Sequence, residues 1–440
     1  MKRLWHNIHY DLYLIGLLTL TLFSFIGPLQ AYLMPLLVGI GFLFVLGGGS
    51  VFYVIPIPFF VQMSFSDLRD NVEITTIYTV IFTVLIVADI LKNRHLSRRG
   101  HLTPTLVFLV VLSVLTHVNS PDWFTTFAGF MQVASVLGLY VYFLNTLEPG
   151  RDNVRYAAKL MMYIGVLVSL QMMYVIYESG ELATTVIRTR SIDLGWENLN
   201  VIVYANLIGV PLIAWLIHES KVKIFYMIFG VITMIGILLT LSRSSVLTLG
   251  VFVGLLVPLM FVLSKQKGLL LWQGVVLIAL VGGVFWFAED RYDLVTAYLE
   301  AIQSRDLTYM DDRTALLQVA WDQLWAHPLL GSGGLYSSRV HLADAGYGAL
   351  NYHNTMAQAS TLGILGLGGV LWLFTKKMEL LLKSGTPFKW YAIVLILVTA
   401  FVNGTFQPMY FYTTYMVFLF LVIAAIEVEV PTLDKDASLT

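Results

Sequence analysis

Long apolar runs alternate with short polar breaks along almost the whole chain. A helix that crosses a bilayer needs about 20 mostly apolar residues. Runs near 10–27, 31–47, 51–63, 74–91, 103–118, 124–145, 156–177, 197–217, 223–240, 244–263, 269–288, 354–375, 388–405 and 409–427 meet or approach that length. They predict about fourteen spans. Within 31–63, Gly47–Ser50 reads either as a tight turn between spans or as a break inside one element, and the second reading lowers the count to about twelve. The longest polar interruption is 289–353. There Tyr292, Val295, Tyr298, Leu299 and Ile302 recur at helical spacing. So do Leu316, Leu317, Ala320, Trp321 and Leu324, behind Asp311-Asp312 as the expected N-cap. Both stretches read as short amphipathic helices that lie on the membrane face or cap the bundle. The second stops at Pro328 and Gly331.

The expected fold is therefore all-α: a polytopic membrane helical bundle with one large loop carrying short amphipathic helices. Its expected organisation is N-terminal transmembrane helices over 1–177, a core over 178–375 that includes the loop 289–353, and C-terminal helices with a tail over 376–440. Composition strengthens the membrane reading. The 440 residues are 58% hydrophobic and 12% charged, where a soluble domain carries roughly 25% charged residues. Mean hydropathy is +0.78. The net charge of -1 offers no field for nucleic acid, and the absence of cysteine excludes disulfides, thiolate catalysis and thiolate metal sites. Met1-Lys2-Arg3 begins like a signal peptide, but no small-residue cleavage site follows, so the first apolar run reads as the first span.

Lysine and arginine bias sets orientation. Lys2-Arg3, the run 92–99, Arg151/Arg155/Lys159, Lys221/Lys223, Lys265/Lys267 and the lysines between 376 and 389 all fall on one side under the fourteen-span count. That side is expected to be cytoplasmic, with both termini inside. The outer side then holds 64–73, 119–123, 178–196, the short turn 241–243 and the loop 289–353.

Outer polar residues gather in three places. One is Arg188-Thr189-Arg190-Ser191-Ile192-Asp193, followed by Glu197, Asn198 and Asn200. Another is Leu239-Thr240-Leu241-Ser242-Arg243-Ser244-Ser245, a tight turn between apolar runs. The last is the large loop, with Asp311-Asp312-Arg313, His327-Pro328-Leu329-Leu330-Gly331-Ser332-Gly333-Gly334, and Tyr352-His353-Asn354. An arginine between two apolar spans either snorkels or serves a polar cavity. Positive-inside bias tilts Arg243 toward a role as anion ligand, with Ser242 and Ser244 supplying hydroxyls. Arg188 and Arg190 read as solvated loop residues or as further phosphate ligands, because guanidinium forks match phosphate oxygens. Arg313 is a surface residue, a partner of Asp311 or Asp312, or a ligand of the same anion. His353 stands at the start of an apolar run. It is an interface residue or, with an ordinary pKa near 6.5, a general base. Asn354 orients it or caps the following helix. The glycines Gly331 and Gly333 make a plain turn or expose N–H groups to an anion. No metal-ligand spacing is visible and no cofactor is implied; Asp311 and Asp312 are adjacent and diverge on a helix.

The ordered set of these motifs resembles the O-antigen ligase and O-antigen polymerase superfamily. It comprises Leu239–Ser245 around Arg243, Arg313 opening a helix that carries Trp321, the His327–Gly334 turn, and His353-Asn354 ahead of the glycine-rich run with Gly363, Gly366 and Gly368. The resemblance covers roughly 185–375. It implies a metal-independent, inverting glycosyltransferase of the bacterial cytoplasmic membrane, acting on its outer face. The donor would be an undecaprenyl-diphosphate-linked saccharide, and the acceptor a hydroxyl on a glycan or glycolipid. It further implies that Arg243, Arg188 or Arg190, and Arg313 hold the diphosphate, and that His353 activates the acceptor. A flippase and a chain-length regulator are the partners such an enzyme would have, besides the lipid bilayer.

Between polymerase and ligase the motifs do not discriminate. Polymerisation of surface polysaccharide is favoured modestly, because a ligase needs a cell bearing lipid A–core. The competing class is a lipid-linked saccharide flippase or ion-coupled transporter, which predicts charge deep in the spans and interrupted helices in corresponding positions. Charge here is concentrated outside the spans instead.

Overall fold

The computed structural model describes residues 2–27, 30–47, 51–65, 72–93, 98–147, 152–189, 192–196, 199–303, 309–348, 351–408 and 413–429. Its described regular structure is helical throughout. The helices are α1 (Lys2–Ile26), α2 (Gln30–Gly47), α3 (Val51–Val54), α4 (Pro56–Gln62), α5 (Val72–Asn93), α6 (Thr103–Leu115), α7 (Trp123–Thr146), α8 (Asn153–Glu178), α9 (Ala183–Thr189), α10 (Leu199–Glu219), α11 (Lys223–Leu239) and α12 (Arg243–Leu263). They continue with α13 (Lys267–Tyr292), α14 (Leu294–Gln303), α15 (Tyr309–Ala326), α16 (Ser337–Asp344), α17 (Thr355–Ser360), α18 (Gly363–Lys383), α19 (Phe388–Val398), α20 (Gly404–Phe406) and α21 (Thr413–Glu429). A π-helical turn, Thr399–Asn403, joins α19 to α20.

Six helical segments among the described residues are long and apolar enough to cross a membrane, within α1, α7, α8, α10 and α12 and across α19–α20. Shorter apolar helices at Phe52–Gln62, Val80–Leu91, Thr103–Asn119, Lys223–Leu239 and Lys267–Gly283 accompany them. The run expected as one span over 51–63 is split into α3 and α4. Pro56 begins α4 and lacks the N–H that a continuous helix would use there. The run expected over 354–375 is likewise two helices, α17 and α18, and α16 is a loop helix that apolar spacing does not announce. The helix behind Asp311-Asp312 begins at Tyr309, so those residues lie inside its first turn rather than at its N-cap.

The chain folds into two compact units, one of residues 1–95 and 152–305, the other of residues 96–151 and 306–440. In the first, α8, α10 and α11 pack against one another. Their seam is small and weakly polar: Ser169 and Gly165 on α8, Asn206 on α10, Thr233 and Gly236 on α11. Asn206 Nδ2 donates to Ser169 Oγ across it at 3.4 Å. In lipid, close packing and interhelical hydrogen bonds replace the hydrophobic drive that holds a soluble core. Lys159 is buried on α8 and paired with Asp11 of α1 at 2.7 Å.

The second unit is built on the α6–α7 hairpin, with α21 against α7 and α18 against α6. Asp122 caps α7 by accepting from Thr125 N at 2.8 Å. At the end of α18 remote from the loop, Glu379 pairs with Lys376 and Lys383 at 2.7 Å each and with His101 at 3.2 Å. Glu427 of α21 accepts from His101 N at 2.6 Å and from the Tyr140 hydroxyl. These contacts tie α6, α7, α18 and α21 together at that end.

Candidate functional site

In the second unit the chain runs non-helically through Asn351–His353 and turns helical at α17. Asn354 makes that transition. Its backbone is extended (φ -156°, ψ 136°), and its Oδ1 accepts from Met356 N at 2.8 Å and Ala357 N at 3.1 Å. An Asn cap of this kind satisfies N–H groups that a helix start leaves orphaned. Its Nδ2 donates to Thr405 O at 3.0 Å, and Thr355 Oγ1 donates to Gln407 O at 3.1 Å. The start of α17 is thus clamped to residues 405–407. Its other side is held by Gln358, whose Oε1 accepts from Tyr352 N at 3.1 Å while Nε2 donates to Ser338 Oγ at 3.1 Å and to Leu335 O.

His353 projects from the residue between these two anchors. It is half-buried, and its Nδ1 is buried with no hydrogen-bond partner among the described residues. Burial holds its pKa below the usual histidine value, the nearby Arg313 guanidinium lowers it further, and a side-chain hydrogen bond with Gln407 opposes both. The imidazole is therefore a neutral base at neutral pH. Arg313, half-buried on α15, lies 5.9 Å from the centroid of the Phe406 ring. So Arg313, His353 and the 405–407 segment form one cluster.

The Gly331–Gly334 turn packs against the chain just after α17. Gly331 (φ +75°) and Gly363 (φ +72°) approach so closely that a Cβ on Gly331 would sit 2.1 Å from Thr361 O, and one on Gly363 would sit 2.3 Å from Leu329 O. Ile364 N donates to Pro328 O at 2.8 Å, and Ser332 N to Thr361 O at 3.0 Å. This contact sits at the break between α17 and α18. Asn119 Nδ2 donates to Gly331 O at 2.9 Å, and Thr126 Oγ1 donates to Gly333 O. The N–H groups of Gly331, Ser332 and Gly334 are all spent on carbonyls inside the fold. The turn binds its own chain.

In the first unit, Leu241 takes a left-handed conformation (φ +52°) and lets the chain reverse from α11 into α12. Ser242 Oγ lies 3.2 Å from Ser244 Oγ and accepts from Ser245 Oγ at 3.0 Å, so the three hydroxyls share one buried network. Arg243 is the first residue of α12 and is exposed. A guanidinium at a helix N-terminus adds to the partial positive charge already there and costs about 0.3–1 kcal/mol in the absence of an anion. The same arrangement suits a phosphate. Arg188, in the last turn of α9, donates through Nε to Glu300 Oε2 of α14 at 2.8 Å; both side chains are about half-exposed. Arg190, Glu197 and Asn198 lie outside the described residues, as do the side chains of Asp311 and Asp312.

Sequence reasoning missed Gln358, Thr405 and Gln407. A signal for the last two was present: Asn403, Thr405 and Gln407 are polar residues clustered at the junction of two apolar runs. Among the described residues, no group of three or more His, Asp or Glu converges as metal ligands would. No curated protein matches the chain. Residues 228–371, roughly a third of the chain, match the family model described as O-antigen ligase. That stretch contains Arg243, Arg313, the glycine turn and His353. The match, in a chain whose apolar helices mark a multi-pass membrane protein, supports a glycan-transferring function of the O-antigen ligase and polymerase type.

Proposed function

We propose that the protein is a metal-independent, inverting glycosyltransferase. It moves a saccharide from undecaprenyl diphosphate to an acceptor sugar hydroxyl on the outer face of the bacterial cytoplasmic membrane, and so polymerises a surface polysaccharide. The observation that carries the reading is His353: a neutral imidazole with one buried, unpartnered nitrogen, beside an arginine, inside the family-matched segment. His353 removes the proton from the acceptor hydroxyl as the oxygen attacks the anomeric carbon. The bond between that carbon and the diphosphate oxygen breaks, and its electron pair leaves with the diphosphate. Arg313 lies near the base. Arg243 and the outer-loop arginines Arg188 and Arg190 are assigned to the diphosphate, where fixed cations stabilise the negative charge that develops on departure. Direct displacement inverts the anomeric centre.

The test is reconstitution into liposomes with undecaprenyl-diphosphate oligosaccharide, with and without a separate acceptor lipid, and with His353→Ala as control. A ladder of lengthening products that vanishes in the variant supports the polymerase. Transfer only to the second lipid makes the protein a ligase, the reading favoured by the description of the matched family. No transfer with either acceptor overturns the glycosyltransferase reading.

A further inference from the structure

The imidazole of His353 needs one nitrogen free of its proton and aimed at the acceptor. The start of the following helix does not supply that: Asn354 is spent on capping α17, and Gln358 binds the backbone of Tyr352. The partner comes from residues 404–407, beyond the end of the family-matched segment at residue 371. That stretch is held firmly. The π-helical turn Thr399–Asn403 inserts a wider turn into the apolar run after α19, and Gln407 N donates to Asn403 O at 2.9 Å. Gly404 packs against Thr355, whose Oγ1 would lie 3.1 Å from a Cβ built there. Thr405 O and Gln407 O accept from Asn354 and Thr355. Gln407 itself is 6% exposed, and its side chain hydrogen-bonds the imidazole. A π-turn inside an otherwise regular helix often marks a functional position.

We propose that Gln407 is the positioning residue of His353: its amide oxygen accepts the imidazole N–H at Nε2 and leaves Nδ1 as the nitrogen that receives the acceptor's proton. The assignment follows from the hydrogen bond between the two side chains and from Nδ1 being the buried nitrogen without a partner. An orienting partner fixes which imidazole nitrogen carries the proton. During transfer the acceptor O–H proton moves to Nδ1, the ring becomes an imidazolium stabilised by the Gln407 oxygen, and the proton is later lost to water. Gln407 acts on the reaction through His353. The idea rests on the glycosyltransferase reading above.

Gln407→Leu and Gln407→Glu separate positioning from mere packing. In proteoliposomes with undecaprenyl-diphosphate oligosaccharide, Gln407→Leu should lower kcat roughly 10- to 100-fold with little change in KM. The acid limb of its pH profile should move to lower pH, because an acceptor of the N–H is gone. Gln407→Glu should keep substantial activity, with the acid limb moved up by about one unit or more, since a carboxylate stabilises the imidazolium. A readout independent of transfer is the ring 15N spectrum, with the His353 signals assigned among the nine histidines by their loss in His353→Ala. The expected ground state is the Nε2–H tautomer in the native protein and a tautomer mixture in Gln407→Leu. Native tautomer and unmoved pH limbs in both variants would overturn the proposal, even if His353→Ala is inactive. Activity surviving in His353→Ala would instead overturn the base role on which it rests.

Discussion

The turn at Arg243 and the segment at His353 are both polar breaks between apolar helices, yet they are built in opposite ways. At Arg243 the chain reverses through a left-handed Leu241, hydroxyls satisfy one another, and the charged group stands exposed at the helix start. At His353 the helix start is capped and clamped on two sides, and one ring nitrogen is buried without a partner among the described residues. The difference fits the roles proposed for the two groups. A cation that receives a bulky diphosphate works from solvent, where its own desolvation costs nothing before the ligand arrives. A base must stay neutral and point one way, which burial and fixed neighbours achieve.

The sharpest way to break this contrast is His353→Ala. Transfer should fall roughly 100- to 10,000-fold, with expression and detergent monodispersity unchanged; near-native turnover would leave the clamped segment without a catalytic purpose. Arg243→Lys comes next. It keeps the charge and loses the fork, so kcat should drop on the order of 10- to 100-fold, and a rate within about twofold of native would make Arg243 a snorkelling residue. The third effect is on pH. The pKa of His353 is lowered, so the neutral, competent form persists into acid. The acid limb of kcat/KM, which reports the free enzyme, should lie below the ordinary value of about 6.5, with activity lost as pH falls through it. A limb above that value would contradict a desolvated base. The smallest effect is at Arg188. Its pair with Glu300 is exposed and worth about 0–1 kcal/mol, so Glu300→Gln should release the guanidinium and lower the donor KM by at most about fivefold. An unchanged KM would confine Arg188 to tethering α9 to α14.

Much of this was legible in the chain, and the reasons are local. Apolar runs mark the helices because a lipid-facing helix must be apolar nearly all round. The pair His353-Asn354 is conspicuous because it is a polar dipeptide at the mouth of an apolar run. What stayed hidden depends on contacts remote in sequence. Gln358 is the partner of Leu335 and Ser338, and Gln407 of Thr355, and no periodicity encodes such pairs. The break between α17 and α18 was invisible for the same reason. Gly363 lies in a glycine-rich run that looks like small-residue helix packing, and only the approach of Gly331 shows that it bends the chain. The break within 51–63 does have a local signal, Pro56, a proline after a short apolar run.

The glycine turn also has a meaning for biogenesis. Asn119 and Thr126, at the tip of the α6–α7 hairpin, find their partners at Gly331 and Gly333, 212 and 207 residues further along the chain. At a synthesis rate of about 5–20 residues per second, that hairpin waits roughly 10–40 s for the segment that completes it. Over that interval the polar tip must be kept wet or chaperoned, and the helices of the other unit are made in between. Order of synthesis and order of assembly are therefore uncoupled in this chain, and the unit that holds His353 is the one that closes last.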